Sequence, residues 1–204
     1  MKLGIFGGTF DPIHNGHLAV AEYVSTEMVL DQVIFIPAGR PWFKEGQPVT
    51  DAKHRLEMTR LGTADNPYLA VSDMEVRRDG PTYTADTLRE LRGDMGEGVD
   101  FYFILGIDAL NELHRWRRPT DVLDLATLVG VTRPGAERVD GAAMESIRDG
   151  AADEVVIVDG PRVDISAADV RRRMANGLSI QGLIPQAVEE YARRNGLYKD
   201  KEGV

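Results

Sequence analysis

The opening of this chain constrains its fold more than any other stretch. An apolar run at residues 2–6 closes on Gly7-Gly8 and passes through Thr9-Phe10-Asp11-Pro12-Ile13-His14-Asn15 into a helical pattern that starts at Gly16. A buried strand that ends in a glycine turn and feeds a helix at once is the first half of a βαβ unit, and a sheet begun this way continues parallel. The alternation then repeats. Residues 33–36 form a second apolar run closed by Pro37 and Gly39, residues 99–105 the most aromatic one, 126–131 a nearly all-apolar one, and 155–158 the last. All are short and β-branched or aromatic, as buried strands are. Helical patterns lie between them at residues 16–28, 50–61 with Gly62 as the stop, 84–91 with Gly93 as the stop, and 144–148. The expected fold class is α/β: a Rossmann-like, mainly parallel sheet with helices on both faces and its ligands at the carboxyl ends of the strands.

After residue 158 the pattern changes. Ile165 and Ser166 open a short basic helix over 169–174, in which Ser166 followed by Asp169 resembles a capping box. A last helix spans 185–195, with Pro185 in its first turn and Gly196 as its stop. No long flexible linker intervenes, so residues 1–204 are expected to form one domain, a core over 1–160 and a small C-terminal helical extension over 161–204.

Composition limits the chemistry. The 204 residues carry 24 Lys plus Arg against 33 Asp plus Glu, a net charge of −9, and 43% hydrophobic residues supply a core. The absence of cysteine excludes disulfides, thiolate metal sites and a cysteine nucleophile. With no apolar run of membrane-spanning length and no room for a leader before the first strand, a cytoplasmic protein without a membrane partner is expected. An acidic chain is also a poor reader of nucleic acid, which needs basic residues spread over a face. Small anions need only local groups, so a confined electropositive cleft in an otherwise negative surface is expected. The number of copies in an assembly is not set by the sequence, and a homo-oligomer stays open.

The segment 7–18 supplies such local groups. Gly7 and Gly8 let backbone amides approach a ligand, the helix start offers N–H groups and a positive dipole end, and His14 and His17 stand one turn apart there. Two imidazoles at a helix N-terminus suit phosphate, above all phosphate gaining charge in a transition state. A His-x-x-His pair in isolation is more often a capped turn or a surface face. A metal site lacks a nearby third ligand, the only other histidines being His54 and His114. The string is neither a Walker loop nor a Gly-x-Gly-x-x-Gly dinucleotide turn.

The whole string, Gly-Gly-Thr-Phe-Asp-Pro-Ile-His-Asn-Gly-His, resembles the His-x-Gly-His signature of the nucleotidyltransferase superfamily, in the extended form of the bacterial nicotinate mononucleotide adenylyltransferases. A second signature agrees, since Ile165-Ser166-Ala167-Ala168-Asp169-Val170-Arg171 is similar to the family's Ile-Ser-Ser/Ala-Thr-x-x-Arg stretch, departing at Ala168 where threonine is usual. The resemblance runs from Lys2 to about Tyr198.

The resemblance implies roles for further residues. It assigns ATP to Gly7, Gly8, Thr9, Phe10, His14, Gly16, His17, Gly106, Asp108, Ile165, Ser166 and Arg171, with Asp108 on the ribose and Arg171 on the β- and γ-phosphates. It assigns nicotinate mononucleotide to Thr9, Lys44, Thr82, Tyr83, Thr84 and Trp116. There Thr82-Tyr83-Thr84 takes the carboxylate at a helix start, with Thr84 as the expected N-cap, and Trp116 stacks on the pyridine ring. Relatives often carry Pro-His-Lys where this chain has Trp42-Phe43-Lys44, so Lys44 matches while Phe43 removes any role for a histidine. The arginines around Trp116, at 115, 117 and 118, are a weak nucleic-acid signal on an acidic chain. Residues 39–47 are the expected mobile segment.

The implied reaction is adenylyl transfer from ATP to nicotinate mononucleotide, giving nicotinate adenine dinucleotide and pyrophosphate. It proceeds by direct in-line attack with His14, His17 and Arg171 as catalytic groups and Mg²⁺ carried on the polyphosphate rather than in a protein site. Three alternatives stay open: a sibling such as a phosphopantetheine adenylyltransferase, a preference for nicotinamide mononucleotide, and a non-catalytic nucleotide-binding module.

Overall fold

The computed structural model describes residues 1–41, 48–132 and 138–199. In them, strands β1 (Lys2–Gly8), β2 (Gln32–Pro37), β3 (Leu69–Val71), β4 (Asp100–Gly106), β5 (Thr127–Val131) and β6 (Val156–Val158) form one sheet in the order β3-β2-β1-β4-β5-β6. Every neighbouring pair is parallel. The order reverses direction between β1 and β4, which opens a crevice beyond the carboxyl ends of these two strands.

The helices are α1 (Asn15–Glu27), α2 (Ala52–Thr63), α3 (Met74–Arg77), α4 (Thr84–Met95), α5 (Ile107–Asn111), α6 (Pro119–Leu125), α7 (Gly141–Glu145), α8 (Ala167–Ala175) and α9 (Gln186–Arg194). Among the described residues, no helix is long and apolar enough to cross a membrane.

Side-chain alternation along the strands builds two cores. Leu3 and Ile5, Ile34 and Ile36, Phe101, Phe103 and Leu105 turn to one face, against Leu88 and Leu91 of α4, Leu110 of α5 and Val122 of α6. Phe6, Val33, Phe35, Ile104 and Val129 turn to the other, against Val24 of α1 and Met58 of α2. Burial on both sides is why these strands read as continuous apolar runs. The C-terminal helices complete the second core through Val170, Met174, Val188 and Ala192. Their connection also grips the start of α1, where Asn15 N donates to Leu183 O at 2.9 Å and Asn15 Nδ2 to Gly182 O at 2.8 Å.

Several boundaries differ from expectation, each for a local reason. Gly62 does not stop α2 but lies inside it, where a Cβ would come within 3.0 Å of Ile13 Cγ2 and 3.4 Å of Val188 Cγ2, so it permits close approach of the helix to the motif loop and α9. Gly93 likewise lies inside α4, and the stop is Gly96 at φ 76°. Asp140 caps α7 by accepting from Ala143 N at 3.1 Å, which starts that helix at Gly141 rather than 144. Pro185 is the N-cap of α9 rather than its first helical residue. The three-residue strand β3 and helices α3, α5 and α6 carry too little periodicity to be foreseen.

Two details bear on stability. Val29, just past α1, holds φ at 51° with 75% of its surface exposed, a left-handed conformation that a β-branched residue adopts only under strain. Near the other end of the described chain, Tyr198 donates its hydroxyl to Asp11 Oδ1 at 2.6 Å, and burial together with the Asp11 charge pushes its phenol well above the ordinary tyrosine range. Replacing Val29 by Gly is expected to raise stability by about 0.5–1 kcal/mol in a denaturant titration, and an unchanged or lower midpoint would contradict the strain. Tyr198→Phe leaves Asp11 with one donor fewer and is expected to cost about 1–2 kcal/mol in the same measurement.

Candidate functional site

The carboxyl ends of β1, β2, β4 and β5 open on a cavity of about 390 Å³. Of the residues singled out in the sequence, Gly7, Gly8, Thr9, Phe10, His14, Gly16, His17, Thr82, Thr84, Gly106, Trp116 and Ile165 line it. Tyr83, Asp108, Ser166 and Arg171 stand off its wall. Lys44 and residues 42–47 of the expected mobile segment lie outside the described residues.

The histidine pair is built by the start of α1. His14 is the extended N-cap residue, and its Nδ1 accepts from His17 N at 3.3 Å while His17 Nδ1 accepts from His14 N at 3.2 Å. This is a capping box made of two imidazoles. With both Nδ1 atoms accepting, the neutral rings carry their protons on Nε2, which fixes the tautomer of each. The rings stack at 3.5 Å between centroids, and Phe10 meets His17 edge-on at 5.0 Å. The capped turn and the ligand-facing pair, alternatives in the sequence, therefore coexist in one arrangement.

The opposite wall comes from the start of α4. Thr84 was the expected N-cap, but Tyr83 holds that position, with φ −125° and ψ 133° and no side-chain cap bond, and Thr84 is the first helical residue. The segment is pinned upstream, because Thr82 N donates to Arg40 O at 3.1 Å and Thr82 forms a bridge with Pro41. Trp116 stands half-buried beside it, edge-on to Phe103 at 6.2 Å. The arginines around Trp116 serve the surface of their own chain. Arg115 pairs with Glu112, Arg118 with Asp86 and Asp121, and Arg117 lies 4.8 Å over the Tyr83 ring.

On α8, Ser166 caps the helix by accepting from Asp169 N at 3.1 Å, as the sequence suggested. Asp169 takes Arg172 and Arg173 as partners, and these two guanidinium groups hold its carboxyl below the usual range. Arg171 differs from both, since its Nη1 reaches the Asp11 carbonyl in the motif loop at 2.7 Å. Asp108 is exposed in the first turn of α5, next to Gly106 and Ala109 on the cavity wall.

Sequence reasoning missed a buried polar set at the back of the cavity, of which Glu75 lines the wall. Arg55 of α2 is 1% exposed, and its guanidinium donates to Thr50 O, Thr9 O and Gly39 O at 2.8, 2.8 and 3.0 Å. Burial lowers its pKa. Glu75 of α3 is also buried, which pushes its carboxyl above the ordinary range although it accepts from Thr87 Oγ1 at 2.6 Å. Asp11 Oδ2 accepts from Thr50 N at 3.1 Å. One signal was available in the sequence: Arg55, Thr59 and Thr63 recur every four residues on the buried side of α2, a polar stripe where apolar residues belong.

The family model described as cytidylyltransferase-like matches residues 5–173. Proteins named probable nicotinate-nucleotide adenylyltransferase are similar over nearly the whole length. The one from Dehalococcoides mccartyi is 42% identical, covering 97% of each chain, and the one from Thermomicrobium roseum is 44% identical, covering 100% of this chain and 94% of its own. The solved Plasmodium falciparum nicotinic acid mononucleotide adenylyltransferase complexed with NaAD shares the fold at a TM-score of 0.77, with 19% identity and 97% of each chain covered. The chain belongs to the cytidylyltransferase-like family, among its nicotinate-nucleotide adenylyltransferases.

Proposed function

We propose that this protein transfers the adenylyl group of ATP to nicotinate mononucleotide, forming nicotinate adenine dinucleotide and pyrophosphate in NAD biosynthesis. The observation that carries the reading is the sharing of one cavity by His14 and His17 at the start of α1, Thr82 and Thr84 at the start of α4, and Trp116. The near-identical length of the curated relatives supports it.

In this reading a phosphate oxygen of the mononucleotide attacks the α-phosphorus of ATP in line, and pyrophosphate leaves with the electron pair of the broken bond. The nucleophile is already an anion at neutral pH, so the protein's task is alignment and charge stabilisation. Protons on Nε2 make both histidines donors toward phosphate oxygens, and His17 is the group assigned to the transition state. Gly7, Gly8, Thr9, Phe10 and Gly16 line the nucleotide's path, and Asp108 takes its ribose. Arg171 and the α8 start at Ser166 take the β- and γ-phosphates, and Ile165, on the cavity wall, belongs to the same ATP-binding set. Arg171 leaves the Asp11 carbonyl or shares its donors to do so.

The start of α4 receives the nicotinate carboxylate, Trp116 faces the pyridine ring, and Lys44 is assigned to the mononucleotide by the resemblance alone. Among the described residues no three His, Asp or Glu side chains are grouped to hold a metal. Mg²⁺ is expected on the polyphosphate, held by phosphate oxygens and water.

The test is pyrophosphate release from ATP. It is expected only when nicotinate mononucleotide is added, and release without it, or none with it, rejects the reading. His17→Ala is expected to lower kcat by about 100-fold or more while cooperative unfolding is retained, and near-normal turnover would remove His17 from the chemistry. A helix start that reads a carboxylate disfavours the neutral amide, so turnover with nicotinamide mononucleotide is expected to be the slower of the two. Equal or faster use of the amide would reject the substrate assignment.

A further inference from the structure

The loops that follow β1 and β2 form facing walls of the cavity, and one buried side chain spans them. Arg55 Nη1 holds Thr9 O, in the loop that leads to His14 and His17, while Nη2 holds Gly39 O, in the loop that leads to Pro41 and its bridge with Thr82. Nε ties the same guanidinium to Thr50 O, just before its own helix. Glu75 lies against Gly39 from its other side. Space at that point is minimal: a Cβ on Gly39 would lie 2.0 Å from the Glu75 carbonyl oxygen. Glu75 also reaches α4 through Thr87 Oγ1.

Arg55, bonded to the Gly39 carbonyl, and Glu75, packed against the same residue, thus hold Gly39, and through it the separation of the histidine wall from the Thr82 wall. Only a planar fork with divergent donors serves three carbonyls at once, which a lysine ammonium on a flexible stem does not reproduce.

We propose that Arg55 and Glu75, which hold Gly39 by a hydrogen bond and by close packing, are positioning residues that set the distance between the phosphate-reacting end of the cavity and its mononucleotide end. The proposal rests on the function given above. Neither residue is assigned contact with the reacting atoms. In-line transfer between two bound substrates depends on their mutual placement, and an error of about 1 Å costs about 100-fold in rate.

The experiment compares wild type, Arg55→Lys and Glu75→Gln by steady-state kinetics with ATP and nicotinate mononucleotide, each rate divided by the folded fraction from circular dichroism. Both variants are expected to lower kcat about 10- to 100-fold and to raise KM for the mononucleotide at least about 5-fold, with KM for ATP within about 2-fold of wild type. A purely structural role lowers kcat through the folded fraction alone and leaves both KM values in place. That result, or wild-type constants in a folded variant, overturns the proposal. If Arg55→Lys does not fold, Glu75→Gln decides by the same criterion, since it keeps the size of the side chain while replacing one carboxyl acceptor by an amide donor. If both fail to fold, the two residues are scaffold and the proposal is overturned. Wild type without turnover overturns the functional reading and this inference with it, whereas wild-type turnover with unaltered variants overturns the positioning role alone.

Discussion

A sheet whose strands all run the same way has two unlike ends, and the rest of this protein depends on that inequality. Each crossover must start again where the strands stop, so the beginnings of α1, α4 and α5 are gathered at the carboxyl ends of β1 to β5. There the unpaired N–H groups and positive dipole ends converge, and an acidic chain of net charge −9 acquires a place suited to anions without a basic surface. The two cores on either side of the sheet hold the strands so that this end does not spread.

The polar groups buried at the back of the cavity are costly to desolvate, and their arrangement indicates what offsets the cost. Arg55 satisfies three carbonyls that would otherwise be stranded in loops with no regular partner, and Asp11 takes Thr50 N and the Tyr198 hydroxyl. Irregular backbone near a ligand site cannot use a sheet or helix ladder for its hydrogen bonds, so side chains do that work. The charges also lie near one another, with Asp11 and Glu75 in the field of Arg55, so no single one is isolated.

Much of this was legible in the sequence because period and composition coincide in strands buried on both faces. Residues 2–6, 33–36 and 99–105 had no alternative as surface segments, and the glycine pair, read as a turn but found at the end of β1, announced the helix that follows. The misreadings share a cause. Glycine was read as punctuation, yet Gly62 serves a tertiary contact with Ile13 that no local pattern encodes. Thr84 has the chemistry of a cap, but the cap position went to Tyr83 because the pairing of residue 82 with residues 40 and 41 fixes where the chain turns. Arg55 went unnoticed: the polar stripe it forms with Thr59 and Thr63 marks it as unusual, but its partners are backbone atoms of residues 9, 39 and 50, which a reading of side-chain types does not reveal. The histidines were the reverse case: their spacing was noticed, whereas their mutual capping needs coordinates to be seen.

The bond between Tyr198 and Asp11 joins residues 187 positions apart, almost the two extremes of the described chain. A nascent polypeptide emerges in order, and the loop bearing the histidines is finished long before the tyrosine that braces it exists. The sheet and the first core draw on residues made earlier, but the brace on the loop bearing the histidines waits for residue 198, so a chain cut before that residue keeps most of the framework without this fastening.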